Sequence, residues 1–443
     1  MPSDPPTDSV PPQACRLSQA IGPGVLFAGA AIGVSHLVQS TSAGAAYGLS
    51  LIPLVLLAHA SKYPSLLFGP RYAIATGESL PMAYRRQGWH AIGLFGLVLL
   101  GTMFTILAAV TIVTAAIVST HVVTPVLGLM GVETAPPLVL VSAGLIAICA
   151  GILAAGGFGW LDWALKGLMV VMLITTLIAA GLNLPKLAGV ETRLWPVQAE
   201  ITDAAWLALV VGLVGWMPAP LDISSWHSLW TLERIRQTGA TPSRRQCELD
   251  FQIGYALCVV LALAFVSLGA GLLFANGIEA EKSSGAFANQ LVSLYTDSLG
   301  DWARPLIVAC AVAVMFSTTL TVFDGLNRTA AATWVAASGG TPSAGGRGRR
   351  YWVAGIVISA GALGLIQWFS QGEAFKKLVD LATTLSFVAT PIIAWFNHRA
   401  MLAPGVPESA RPGRGLRAWS WIGIAFWAAF AVVFLVQRFA SSR

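Results

Sequence analysis

Apolar residues run along this chain in blocks of roughly twenty, and short polar intervals between them hold most of the Arg and Lys. At about 1.5 Å of rise per helical residue, such a block crosses a hydrocarbon layer of about 30 Å. Windows of about 19 residues place spans at 21–46, 49–68, 91–119, 137–156, 160–183, 205–230, 251–275, 303–327, 351–369, 375–396 and 417–437. The pattern therefore predicts an all-α membrane protein of about eleven transmembrane helices. The Pro-containing piece from His121 to Val132 reads as a re-entrant or interfacial segment.

Composition supports the same class. Of the 443 residues, 56% are hydrophobic and 10% charged, and mean hydropathy is +0.72, whereas soluble domains carry about 25% charged residues. A water-soluble core is excluded. The net charge of +6 sits between apolar spans and forms no basic stripe or tail, so it indicates membrane orientation and no nucleic-acid partner. With the N-terminus cytoplasmic, fifteen Arg fall in the inside loops, from Arg71 to Arg417. Six Lys and Arg fall opposite: Lys186, Arg193, Lys282, Arg304, Lys376 and Lys377. That bias expects a cytoplasmic N-terminus, and an odd span count expects the C-terminus outside. The five cysteines are scattered and form no CxxC pair, which implies neither a disulfide nor a zinc site. Residues 1–15 are polar and Pro-rich and show no cleavable signal.

The expected organisation is a disordered cytoplasmic stretch at 1–17, a core at 18–398, and a linker with the eleventh span at 399–443. Ser338–Arg350 and Pro404–Arg417 read as flexible cytoplasmic loops. Two spans depart from ordinary Leu/Val/Ala helices. The first opens on Gly22-Pro23-Gly24, and its second half, Gly33-Val34-Ser35-His36-Leu37-Val38-Gln39-Ser40-Thr41-Ser42, is polar at membrane depth. The sixth contains Gly215-Trp216-Met217-Pro218-Ala219-Pro220-Leu221-Asp222. Proline removes a donor and clashes with the preceding turn, so the sixth helix should break and free carbonyls near Val214 and Gly215. Freed groups are tolerated in a membrane only where protein or a wet cavity satisfies them. Two broken helices five spans apart point to a transporter site at an inverted-repeat interface.

Gly22-Pro23, Ser42-Ala43-Gly44-Ala45, Ile74-Ala75-Thr76-Gly77-Glu78-Ser79-Leu80 and Met217-Pro218 together resemble the NRAMP family of proton-coupled divalent-metal transporters. The resemblance is clearest over 18–90 and 205–236, and it implies the LeuT-like fold with repeats at about 18–184 and 203–398. It also locates a departure. The family's first helix carries Asp-Pro-Gly-Asn, whose Asp and Asn bind metal; the corresponding positions here are Gly33, Val34, Ser35 and His36. The family's Met-Pro-His in the sixth helix is Met217-Pro218-Ala219, which keeps the thioether and loses the histidine.

The candidate substrate-binding residues are Gly33, Ser35, His36, Gln39, Val214, Gly215, Met217 and Asp222, with His36 and Met217 as metal ligands and His36, Lys62 and Asp222 in coupling. Ionisable groups within membranes are rare and usually functional. His36, the one histidine well inside a span at a break, suits a transition metal when neutral and suits proton coupling by its ordinary pKa, against the simpler reading of a buried, satisfied imidazole. Gln39 and Ser40 share its face at helical spacing. Met217 alone would be core filling; its place at the break raises it to a ligand candidate. Lys62 has two readings: it snorkels to an interface beside Arg71, or it points inward as a fixed cation in place of a coupling ion. Asp162 with Lys166 and Asp324 with Arg328 read as interfacial pairs. Ser317, Thr318 and Thr319 either line the cavity or bond their own backbone.

The leading expectation is secondary transport of a divalent transition metal with protons, by alternating access in a bacterial inner membrane. The alternative is a small organic solute, such as an amino acid or carboxylate, held by a half-helix N-terminus and walled by Trp216 and Trp226. No HExxH, GxSxG or Walker A motif is present, so an enzyme is not expected and no cofactor is called for. Nothing in the pattern specifies an oligomeric state.

Overall fold

A computed structural model describes residues 15–156, 159–188, 204–340, 347–369 and 374–440. Among the described residues the secondary structure is helical throughout. The first span is broken. Helix α1 (Pro23–Ala31) starts at Pro23, where the missing N–H costs nothing, and a wide π-type turn (Ser35–Ser40) leads into α2 (Thr41–Tyr47). The two pieces are bent by 45°. Helix α3 (Ile52–Thr76) forms the second span and ends at Gly77, whose φ of +69° is the left-handed cap that glycine accepts without strain. A short α4 (Leu80–Arg86) leads to α5 (Trp89–Val118).

Helix α5 corrects one expectation. The His121–Val132 piece is no separate re-entrant element; a π turn (Ser119–Val123) carries the same helix on to Leu129. The turn precedes Pro125, whose ring would otherwise strike the carbonyl of His121 four residues back, and a locally wider turn removes that clash. Helices α6 (Leu138–Ala155) and α7 (Gly159–Leu187) complete the first five spans. The side chains of Asp162 and Lys166 lie outside the described residues.

The sixth span is also broken, into α8 (Ala204–Trp216) and α9 (Ile223–Thr238), with both prolines between them. Then follow α10 (Arg244–Leu268, continued to Asn276), α11 (Ser284–Leu299), α12 (Arg304–Ala337), α13 (Arg349–Phe369), α14 (Ala374–Met401) and α15 (Arg414–Ala440). Seven helical stretches of the described residues are long and apolar enough to cross a membrane, and the bent first span makes an eighth. Two shorter apolar helices lie in α7 and α8. Each expected span therefore coincides with a helix or a broken helix, and the chain is an integral, multi-pass membrane protein.

The broken first span is held against α10 by glycines. A Cβ on Gly24 would lie 2.0 Å from the Asp250 carbonyl oxygen, and one on Gly254 would lie 2.1 Å from that of Gly24. At the other end, Gly44 and Gly269 approach the Val266 and Thr41 carbonyls in the same manner, at 2.1 and 2.3 Å. Small residues let membrane helices approach closely where no hydrophobic effect drives them together. The Asp250 carboxylate also accepts from the N–H groups of Gly22 (2.9 Å) and Gly24 (2.6 Å) at the start of α1.

Candidate functional site

The two breaks face a common cavity of about 310 Å³, counting the space at its mouth. Ala31, Val34 and Ser35 line it from the first span, and Trp216, Pro220 and Trp226 from the sixth. Val110 of α5 and Val322 of α12 close its sides. The wall is apolar and aromatic and carries no charged side chain. Trp216 Nε1 donates to Ser386 Oγ of α14 at 2.9 Å, whereas Trp226 Nε1 is buried without a partner. A wider vestibule of about 1240 Å³ reaches down to Gln39 from the far end of the first span, between Tyr47, Phe274, Glu281, Lys376 and Asp380. Gln39 Nε2 is likewise buried and unpartnered.

Each break is satisfied by a side chain from another helix. Thr318 Oγ1 of α12 bonds the Gly29 carbonyl at 2.8 Å and lies 3.5 Å from that of Ile32, at the break in the first span. It bonds its own helix too, at the Val314 carbonyl, as one of its two expected readings had it, and it is not among the residues that line the cavity. At the sixth-span break, Lys62 of α3 donates to the carbonyls of Val214 (2.7 Å), Gly215 (2.8 Å) and Ala219 (3.3 Å). The first two are the carbonyls that Pro218 and Pro220 were expected to free, and the Ala219 carbonyl is an addition. Lys62 is 1% exposed and does not snorkel. Ten residues into α3, it lies roughly 15 Å from the nearer helix end, beyond the reach of its side chain.

Other candidates are dispersed. His36 Nε2 lies 2.9 Å from the Cys258 carbonyl of α10, and Nδ1 lies 2.8 Å from Ser35 Oγ and 3.1 Å from the Ala31 carbonyl. Its ring is thus engaged on both nitrogens and points to α10, not to the sixth-span break as expected. The π turn supplies the reason: with an extra residue in the turn, Gln39 no longer shares the face of His36. Gln39 instead lies against α8, 3.1 Å from where a Gly212 Cβ would stand. Met217 is fully buried in a separate apolar cluster with Val55, Phe387 and Trp427. The expected pairing of His36 with Met217 as metal ligands is therefore not assembled, and no group of three His, Cys, Asp or Glu among the described residues is placed to hold a metal. Gly33 packs against Thr318, which a Cβ would strike at 2.6 Å.

Asp222 stands at the N-terminus of α9, where a helix favours negative charge. Its Oδ2 is 3.4 Å from Thr102 Oγ1, and its Oδ1 is buried without a partner. Sequence reasoning missed two further histidines buried within the expected spans, His59 and His227. Both ring nitrogens of His227 are unpartnered, and its ring stacks on Phe27 at 5.7 Å. His59 bonds its own helix through Nδ1, at the Val55 carbonyl. Position inside a span is the sequence signal that marks them, and neither stands at a break as His36 does.

The sequence profile described as Natural resistance-associated macrophage protein-like (Nramp) matches residues 24–437. The chain belongs to the Nramp family. An uncharacterized protein of Pasteurella multocida is 32% identical over 424 residues, covering 95% of this chain and 92% of that one. Among solved structures, a mutant manganese transporter of Eremococcus coleocola superposes with a TM-score of 0.69 at 15% identity, over 94% of this chain and 86% of that one. The LeuT-type fold extends further: MhsT, solved with L-phenylalanine, gives a TM-score of 0.63 at 14% identity, over 96% of this chain and 99% of that one. Mhp1, a nucleobase-cation-symport-1 family transporter solved with bromovinylhydantoin, gives 0.55 at 17%, over 96% and 90%. Within this Nramp protein, Gly33 stands where the resemblance places the family's metal-binding Asp, and Lys62 puts an ammonium at the second break.

Proposed function

We propose that this Nramp protein is a secondary active transporter that works by alternating access, and that its substrate is a small organic solute bearing a carboxylate. The apolar, indole-walled cavity at the two breaks carries the proposal, because its one unpaired donor is Trp226 Nε1. A buried donor left unmade costs about 1–3 kcal/mol, and a charged acceptor from a substrate would recover that and more. The second half of the broken first span begins at the same place, where Val34 and Ser35 line the cavity, and a half-helix N-terminus is what this fold offers to anionic substrate groups. Structures of this fold hold L-phenylalanine and a hydantoin as well as serving a manganese transporter, so an organic substrate is compatible with the architecture.

A divalent transition metal with proton coupling is the second reading, supported by family membership and by the likeness to a manganese transporter. A metal would need deprotonated ligands gathered at one point. Here it would have to draw His36 from its bond to α10 and bind beside the ammonium of Lys62. For either substrate we assign the coupling proton to Asp222, whose unpartnered oxygen is the free acceptor near the sixth-span break. The orientation is N-terminus cytoplasmic in a bacterial inner membrane, by the positive-inside bias. Uptake into proteoliposomes, with an inward proton gradient, is expected for small amino or hydroxy carboxylates and to be lost in Asp222→Asn. Gradient-driven uptake by Asp222→Asn equal to wild type would remove the assignment.

A further inference from the structure

The carbonyls of Val214, Gly215 and Ala219 converge on one point, 2.7, 2.8 and 3.3 Å from Lys62 Nζ. The Trp427 ring of α15 closes the site with its centroid 4.9 Å from the same nitrogen. The first two oxygens belong to the C-terminal end of α8, the negative end of its dipole. Converging carbonyls at the end of a half-helix, capped by an aromatic face, are the donor set of a small monovalent cation. An ammonium and a potassium ion are nearly equal in size and both take oxygen donors. No acidic side chain is paired with Lys62 at hydrogen-bond distance among the described residues; its direct contacts are backbone carbonyls and a ring, and the Asp222 carboxylate acts on it only through space, from farther away.

We infer that the sixth-span break is a monovalent-cation site whose ion is the tethered ammonium of Lys62. The wild-type protein then needs no sodium or potassium for transport, and removing the side chain opens the site to a free cation. The uptake part rests on the transporter reading; the binding part does not. The two substitutions that separate the cases are Lys62→Ala, which empties the carbonyl cage, and Lys62→Met, which fills it without charge.

The test is the melting temperature of purified full-length protein in sodium, potassium or N-methylglucamine chloride at equal ionic strength. Lys62→Ala should gain several degrees in sodium or potassium over N-methylglucamine, because a ligand of the folded state alone stabilises it by mass action. Wild type and Lys62→Met should show no such difference. Equal melting of Lys62→Ala in all three salts, or the same gain in wild type, overturns the inference. So does a Lys62→Met protein that folds while Lys62→Ala fails to fold even in sodium, since the position would then require volume and not a cation. Where wild-type uptake is measurable, Lys62→Ala uptake should be lost in N-methylglucamine and recovered in sodium or potassium. Lys62→Gln, which keeps two N–H donors without the charge, should fold and lose uptake in all three salts. Wild-type uptake by Lys62→Gln would also overturn the inference.

Discussion

Trp226 carries the one unpaired donor among the side chains that line the cavity, and it defines the sharpest residue-level expectation. Trp226→Phe keeps most of the aromatic wall and deletes the N–H. A hydrogen bond to a charged group contributes about 1.5–3 kcal/mol, so the half-saturating substrate concentration should rise about 10- to 100-fold. Maximal rate and melting temperature should change little, since no bond within the protein is lost. Initial-rate uptake against substrate concentration checks this. Residues of this kind are legible in the sequence as candidates but not in their direction. His36 and Met217 were both readable as unusual, yet one turns to the Cys258 carbonyl and the other into an apolar cluster. Which way a buried side chain points depends on the local helix turn, here a π turn that no periodicity announces.

Helix breaks were far more legible, because Pro and Gly act on the backbone directly. Pro218 and Pro220 located the carbonyls of Val214 and Gly215, although not the lysine that would satisfy them from another helix. The first break shows the same logic in its packing. Gly33 leaves room for Thr318 to cap the Gly29 carbonyl, and a Cβ there would meet Thr318 Cγ2 at 2.6 Å and Oγ1 at 2.9 Å. Overpacking of this kind costs about 1–3 kcal/mol, so Gly33→Ala should lower the melting temperature and slow transport. Adding Thr318→Ala removes the two nearest atoms and leaves Cβ at 3.1 Å. The double variant should therefore recover stability relative to Gly33→Ala alone. Additive losses measured by thermal unfolding would show that the contact is not the cause.

Across the whole molecule, the far-side vestibule reaches Gln39 while the N-terminal side is closed by polar ties. Arg234 donates to the carbonyls of Gln19 and Ser18, and Asp250 holds the start of α1. Asp324 is more than the interfacial partner of Arg328 that its spacing suggested. It accepts from Arg328 Nε (2.7 Å), Trp230 Nε1 (3.0 Å) and Tyr351 Oη (2.9 Å), and it faces Arg347 at 3.4 Å. One carboxylate thus links α9, α12, α13 and the segment before α13. The sequence could not show this, because the partners lie far apart in the chain. Breaking a buried ion pair costs about 3–5 kcal/mol. Asp324→Ala should therefore melt earlier and favour opening on the N-terminal side. In a protein whose other cysteines are replaced, the buried Cys247 near that side should alkylate faster in Asp324→Ala than with Asp324 intact. Equal alkylation rates would mean that the network does not hold this side shut.

The proposed cargo of the cavity at the two broken helices is an organic carboxylate, and no metal-ligand group of three His, Cys, Asp or Glu is gathered among the described residues. Uptake of a panel of small amino and hydroxy carboxylates, measured beside manganese in one proteoliposome preparation of wild type and Trp226→Phe, decides between an organic and a metal cargo. Carboxylate uptake should be saturable and weaken in Trp226→Phe, and saturable manganese uptake should be absent. Saturable manganese uptake that is competed by other divalent transition metals and indifferent to Trp226→Phe would contradict an organic cargo.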